Sequence, residues 1–200
     1  MIAVVDRHEA VQILGAGGVV GVPTDTVYGV AASLRHADAV SRIFSLKRRP
    51  TNVALPVLVD RLSSIEDLGV TLSENAIKLG DAFWPGALTI VVNVPHELAL
   101  RVGSPDDTVG FRVPNDELLR QVMAVAGPLV VSSANEHGEP PCHSAGEVLE
   151  VFGETGLLDA VLDGGERSGA VSTVVALQGT EWQLLRPGAV HALDVTRVLA

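Results

Sequence analysis

Positive charge, aromatic rings, cysteine and long apolar runs are all scarce in this 200-residue chain, and each shortage closes off a class of function. Fourteen Lys and Arg face 24 Asp and Glu, a formal net charge of −10, so the overall field repels nucleic acid and anionic membranes. Aromatic residues are only 4% of the chain, which leaves few platforms for stacked bases. The single cysteine, Cys142, excludes an intrachain disulfide and a cysteine-rich zinc centre; a reducing compartment, the cytoplasm, is the expected setting. No apolar stretch approaches the ~18 residues of a membrane span, and Asp6, Arg7 and Glu9 interrupt the amino terminus before a signal-peptide core develops. The histidines are scattered. His137 and His143 flank Cys142, but further ligands are lacking, so a plain loop is expected and no metal ligand is assigned.

What is abundant is short apolar segments. Hydrophobic residues reach 47% and the mean hydropathy is +0.34, enough to bury a core and to exclude disorder. Twenty Gly and eleven Pro, dispersed along the chain, indicate many turns and argue against a helical bundle. Strands are expected at Val19–Val22, Val53–Val59, Leu88–Val94, Thr108–Val113, Leu129–Val131, Ala160–Leu162, Ser172–Leu177 and Trp182–Leu185. Several are apolar throughout, as in a sheet covered on both faces. Helical spacing recurs at Val40, Ile43 and Phe44, and at Leu118, Leu119, Val122 and Met123. Thr71 with Glu74, and Ser144 with Glu147, read as capping boxes. No repeat or linker divides residues 1–200. The expected fold is α/β: a single domain with a twisted mixed β-sheet, flanked by helices and carrying a concave ligand crevice.

The few cations are not evenly placed. Arg35, Arg42, Lys47, Arg48 and Arg49 lie in one short segment against a lone acid, Asp38, whereas no Lys or Arg falls between Arg120 and Arg167. Two readings remain open for this cluster. A helix C-terminus accounts for Arg42 and Lys47, each such cation contributing ~0.3–1 kcal/mol; an anion site accounts better for Lys47-Arg48-Arg49-Pro50, where proline has ended the helix.

Several familiar motifs fail. Gly15–Gly21 has Val20 where a dinucleotide loop needs its third glycine, and it precedes a strand, so it reads as a turn. There is no phosphate loop ending in Gly-Lys-Ser/Thr and no Ser in a nucleophile elbow. Three polar strand tips survive. Pro23-Thr24-Asp25-Thr26-Val27-Tyr28-Gly29 follows Val19–Val22, Ser132-Ser133-Ala134-Asn135 follows Leu129–Val131, and Ser172-Thr173 opens another strand. Each hydroxyl alone suits an Asx or Ser/Thr turn; together they describe a crevice rim for a small polar ligand.

In order along the chain, PTDTVYG, KRRP, FWPGALTIVV, VGFRVP, VVSSANEHGEP, DGG, STVV and LLRPGAV resemble the YrdC-like family of L-threonylcarbamoyl-AMP synthases, from about Gly17 to Val190. The family's Lys-x-Arg and Ser-x-Asn signature falls here on Lys47, Arg49, Ser133 and Asn135. The chain stops soon after Arg186-Pro187-Gly188 and looks like the short, single-domain form. The resemblance implies an enzyme that combines ATP, L-threonine and bicarbonate (or CO2) into threonylcarbamoyl-AMP and pyrophosphate. It further implies Mg²⁺ held mainly by ATP, downstream threonylcarbamoyl-transferase proteins that modify tRNA, and room for transient tRNA contact. By the same resemblance, Lys47 and Arg49 serve catalysis and the triphosphate. Ser133, Asn135 and Arg186 join them on ATP, while Thr24, Thr26, Tyr28, Arg112, Ser132 and Ser172 form the threonine pocket.

The chain departs from the family pattern in three places. Val171 stands where a glutamate often precedes Ser-Thr, Asp116 where a histidine is common, and Thr51–Pro56 lacks the usual Lys or Asn before Pro-Leu. Competing readings are an RNA-binding or ribosome-maturation module on the same fold, a carbamoyl-adenylate-forming relative, and a paralogue that has lost the reaction. Pyrophosphate release that requires both threonine and bicarbonate separates the synthase from all three.

Overall fold

The computed structural model describes residues 2–136, 138–179 and 181–200. In chain order the elements are β1 (Ala3–Val5), α1 (Arg7–Gly15), β2 (Val19–Val22), β3 (Gly29–Ser33), α2 (Ala37–Leu46), β4 (Val57–Leu58), α3 (Ser63–Glu66) and α4 (Glu74–Phe83). They continue with β5 (Leu88–Asn93), α5 (His96–Arg101), β6 (Thr108–Arg112), α6 (Glu117–Ala126) and β7 (Leu129–Ser133). The last are α7 (Ala145–Phe152), β8 (Ala160–Leu162), β9 (Thr173–Gln178), β10 (Glu181–Arg186) and α8 (Ala192–Leu199). One sheet among the described residues runs β1-β8-β2-β3-β7-β4-β6-β5-β9-β10. It is mixed: β8 is parallel to β1 and β2, β4 to β6, and β5 to β9, while the other pairings are antiparallel.

The apolar strands are buried on both faces, and alternate residues feed two separate cores. Val19, Val30, Ala32, Val57 and Val130 meet α2, α4, α7 and α8 through Ile43, Leu79, Phe152 and Val195. Val20, Val22, Ala31, Leu58 and Val131 meet α1 and α6 through Leu14, Leu119 and Met123. The expected α/β architecture, a mixed sheet between helices, is the one observed.

Several local expectations are corrected. The strand expected over Val53–Val59 shrinks to β4, because Arg49 takes the carbonyls of Val53 and Ala54 and Pro56 has no N–H to donate. The box expected at Thr71 and Glu74 does not form. Glu74 is already the first helical residue of α4, and the Ser73 hydroxyl accepts from the Ala76 amide instead. At α7, Ser144 caps the Glu147 amide as expected, but the Glu147 carboxylate accepts from His143, one residue earlier than a capping box requires. A full capping box does occur where none was expected, between Asp6 and Glu9 at α1. Arg42 is not in a last turn. It lies within α2 and donates across to the Leu157 carbonyl at 2.7 Å and Asp159 Oδ2 at 2.8 Å, tying that helix to the approach to β8. Within the Gly15–Gly21 segment Gly15 ends α1, a short turn at Ala16 and Gly17 follows, and β2 begins at Val19. His137, one of the histidines beside Cys142, lies outside the described residues.

Candidate active site

Strand order brings the three polar tips together. β2, β3 and β7 are neighbours, so the loop after β2 faces the end of β7; β6, β5 and β9 present Arg112, Thr89 and Ser172 from the other side. Between them lies a cavity of about 140 Å³. Of the residues expected at the site, Thr24, Thr26, Tyr28 and Arg49 line it, as do Arg112, Ser132, Ser133, Ser172 and Arg186. Lys47 and Asn135 are not on its wall but immediately behind Ser133.

The Pro23–Gly29 turn is held by its own hydroxyls. Thr24 Oγ1 donates to the Val27 carbonyl at 2.6 Å, accepts from the Thr26 amide at 3.1 Å, and lies 3.0 Å from Thr26 Oγ1. This is the Ser/Thr-turn chemistry weighed for the segment, and it leaves Thr26 Oγ1 facing Arg112 Nη1 at 3.2 Å. Arg112 is buried. Its Nη2 donates to Asp25 Oδ1 at 2.6 Å and its Nε to the Gly86 carbonyl at 2.8 Å. Gly86 belongs to the turn after the cis Trp84–Pro85 peptide. Burial lowers the affinity of Arg112 for its proton, and Asp25 restores part of it. The Ser132 hydroxyl has no hydrogen-bond partner among the described residues and borders the cavity. Tyr28 differs: its ring lines the wall, but its hydroxyl is taken by Asp163, the Gly165 carbonyl and the Gly164 amide.

On the opposite wall Arg186 grips Ser172, donating from Nη2 to its hydroxyl at 2.8 Å and to its carbonyl at 2.7 Å. Ser172 Oγ also lies 3.1 Å from Thr89 Oγ1. Gly188 must be glycine for this wall to close: a Cβ there would stand 2.3 Å from the Val171 carbonyl oxygen. Lys47, only 2% exposed, ends α2 beneath the tip of β7. Its ammonium donates to the carbonyls of Ser133 and Asn135, the latter at 2.6 Å, and to Asn135 Oδ1 at 3.2 Å. The Asn135 amide nitrogen donates to the Glu136 carbonyl at 2.7 Å and the Glu139 carbonyl at 2.8 Å, tying Glu139 back to the tip of β7.

The electrostatics follow from this geometry. Lys47, Arg49 and Arg186 bond only to oxygens of uncharged groups, and among the described residues none has a carboxylate within ion-pair distance. Burial pushes Lys47 down to about 8, with the Arg49 charge adding to the effect. Arg49 is lowered by burial, and Arg186 by burial and by the charges of Arg112 and Arg49. The charge of Arg49 thus bears on both Lys47 and Arg186, and that of Arg112 on Arg186, beside one cavity, while Asp25 balances Arg112. An anion entering there relieves that repulsion.

Two contributors escaped the sequence reading. Asp25 stood inside a motif already singled out, and its signal was a carboxylate between two hydroxyls after a buried strand. Thr89 is the one hydroxyl of β5, set between Leu88 and Ile90.

The Sua5/YciO/YrdC family model, described as "Telomere recombination", matches residues 12–188. The chain belongs to this family. A Mycobacterium tuberculosis relative is 36% identical over 95% of the chain and 87% of its own length. The Pseudomonas putida threonylcarbamoyl-AMP synthase is 32% identical over 90% of the chain and 96% of its own length. The crystal structure of Pyrococcus abyssi Sua5 complexed with L-threonine aligns at a TM-score of 0.87 and 32% identity. That alignment covers 98% of the chain and 60% of the Sua5 chain, so the chain spans less than two thirds of that relative.

Proposed function

We propose that this protein makes L-threonylcarbamoyl-AMP from L-threonine, bicarbonate or CO2, and ATP, releasing pyrophosphate. The observation that carries the reading is the convergence of Lys47, Arg49, Arg112 and Arg186 on or just behind the wall of one small cavity, Lys47 and Arg112 buried and three of the four without a carboxylate among the described residues, in a chain of charge −10. The names of the family relatives point the same way.

The chemistry is the union of two anions. The threonine amine captures CO2 and loses a proton, giving a carbamate; a carbamate oxygen then attacks the α-phosphorus while the bond to pyrophosphate breaks. No covalent protein nucleophile is required. What the protein must supply is alignment and positive charge where negative charge gathers. Arg49 and Arg186 take the phosphates, Arg with its planar fork. Lys47 adds its charge from beneath Ser133 and carries the Ser133–Asn135 turn into place against the nucleotide. Arg112, fixed by Asp25, faces the threonine carboxylate, and Thr26, Ser132 and Ser172 offer hydroxyls to the amino acid. Tyr28 contributes its ring to the wall.

A cavity of about 140 Å³ suits an amino acid. It is smaller than the ~300–1,000 Å³ of sites that enclose drug-sized ligands, so the nucleotide lies across its mouth. Among the described residues no group of three or more His, Cys, Asp or Glu side chains could hold a metal. Mg²⁺ fits the site as a passenger on the triphosphate, liganded by phosphate oxygens and water. The product is a mixed anhydride, an activated acyl donor that a downstream transferase must consume; tRNA adenosine is the acceptor this reading implies, in the cytoplasm. No helix among the described residues is long and apolar enough to cross a membrane.

The deciding assay is pyrophosphate release from ATP with threonine and bicarbonate together and with each omitted. Dependence on both supports the synthase. Salt-sensitive tRNA binding without turnover would overturn it in favour of an RNA-binding module.

A further inference from the structure

The loop from Asp163 to Ser172 joins β8 to β9 without regular structure and delivers Val171 and Ser172 to the cavity wall. Little in its sequence stiffens it, since Gly164, Gly165, Gly169 and Ala170 carry almost no side chain. Its position is imposed from outside. Arg167, midway along the loop, reaches into the fold and donates from Nη2 to Asp116 Oδ2 at 2.8 Å; both side chains of this pair are largely buried. Its guanidinium lies over the Tyr28 ring, 6.0 Å from the centroid, and its backbone is pinned to His143 in both directions. Asp116 is itself rigid, because its other oxygen accepts from the Leu119 amide and caps α6.

This anchor presses the loop onto the amino-acid side of the site. At Gly169 the loop touches the Asp25–Thr26 backbone so closely that a Cβ would stand 2.8 Å from the Asp25 carbonyl oxygen and 2.9 Å from Thr26 Cα. Asp25 and Thr26 are the two residues whose side chains hold Arg112. Arg167 Nε is buried without a hydrogen-bond partner among the described residues. Simple stability does not favour such an orphan, which points to position as the reason for the pair.

We propose that the Arg167–Asp116 pair is a latch. It holds the Asp163–Ser172 loop down on the Asp25–Thr26 turn and thereby sets the width of the amino-acid cavity, making Arg167 a positioning residue for threonine and not for ATP. The inference rests on the synthase reading for its substrate, but the latch itself does not.

The test uses the full chain with Arg167→Met, Asp116→Asn and Arg167→Lys. Asparagine keeps the cap on α6 while removing the charge, and lysine keeps a charge for Asp116. The expected result is a threonine KM raised about ten-fold or more in the first two, an ATP KM within about two-fold, and recovery in the lysine variant. Discrimination of threonine against serine should narrow in parallel. Hydrogen exchange supplies a readout independent of the reaction: amides of residues 166–170 should exchange faster in Arg167→Met while those of β7 and β9 stay protected. Unchanged loop exchange overturns the latch. So does a threonine KM that stays put, or one that rises in step with the ATP KM. A wild-type protein without threonine-dependent turnover sinks the synthase reading, and the exchange result still decides the latch.

Discussion

Raising the pH should strip the proton from Lys47 long before an ordinary lysine would lose it, and nucleotide binding should put it back. With the buried ammonium at about 8, the charged form falls from about nine-tenths at pH 7 to about one-tenth at pH 9. If bound ATP keeps the ammonium charged across that range, affinity drops about ten-fold, or about 1.4 kcal/mol, between those two values. At pH 8 each ATP that binds should draw about half a proton from solution. Titration calorimetry in two buffers of different ionisation enthalpy measures that uptake directly. Lys47→Arg, which holds its charge throughout, should abolish the uptake and flatten the profile. The same group has a defined effect on stability. Between about pH 8 and 10.5 the unfolded chain holds more protons than the folded one, so the Lys47 contribution to unfolding free energy rises with pH; below pH 8 its unfavourable contribution is complete. Buffer-independent binding heats at pH 8, or equal uptake by Lys47→Arg, would refute both the buried charge and its coupling to the nucleotide.

Other expected outcomes follow from the same cavity. Arg49→Ala should lower turnover by two decades or more, which is ~3 kcal/mol of lost transition-state stabilisation; near wild-type steady-state rates would move the phosphate site elsewhere. Asp25→Ala leaves Arg112 buried and unpaired, so unfolding in urea should reveal a loss of about 3–5 kcal/mol; a loss below about 1 kcal/mol would mean that water already screens the pair. Serine should be used measurably, since the methyl that distinguishes threonine is worth ~1–3 kcal/mol, whereas valine should be almost inert because it leaves a hydroxyl partner unpaired. Equal pyrophosphate release with threonine and valine would show that no hydroxyl is read.

Much of the site was legible because its chemistry is local to short strings. Hydroxyls and charges set just after apolar runs mark strand tips, and nine of the expected side chains do border one cavity. The fold class was legible for the same reason: buried strands read as apolar runs, and helices as apolar residues at helical spacing. β3 was not, because Gly29-Val30-Ala31-Ala32-Ser33 has small residues and only one β-branched side chain, and it is a strand by virtue of its neighbours β2 and β7. β4 was over-read, since Arg49 diverts carbonyls that a longer strand would have used.

The amino-acid sequence by itself determined which residue types stand at the ends of which apolar segments, and that the few cations include a tight cluster in an acidic chain. Only the tertiary structure decided which cations share a cavity. Residues 47, 49, 112 and 186 meet because strand order interleaves distant segments, and local periodicity carries no information about that order. It also decided that Lys47 is sealed behind Ser133 while Arg49 lines the cavity, and that Asp25 is spent on Arg112 and Asp116 on Arg167. Charge pairing depends on distance and burial, and both arise only when the chain has closed on itself.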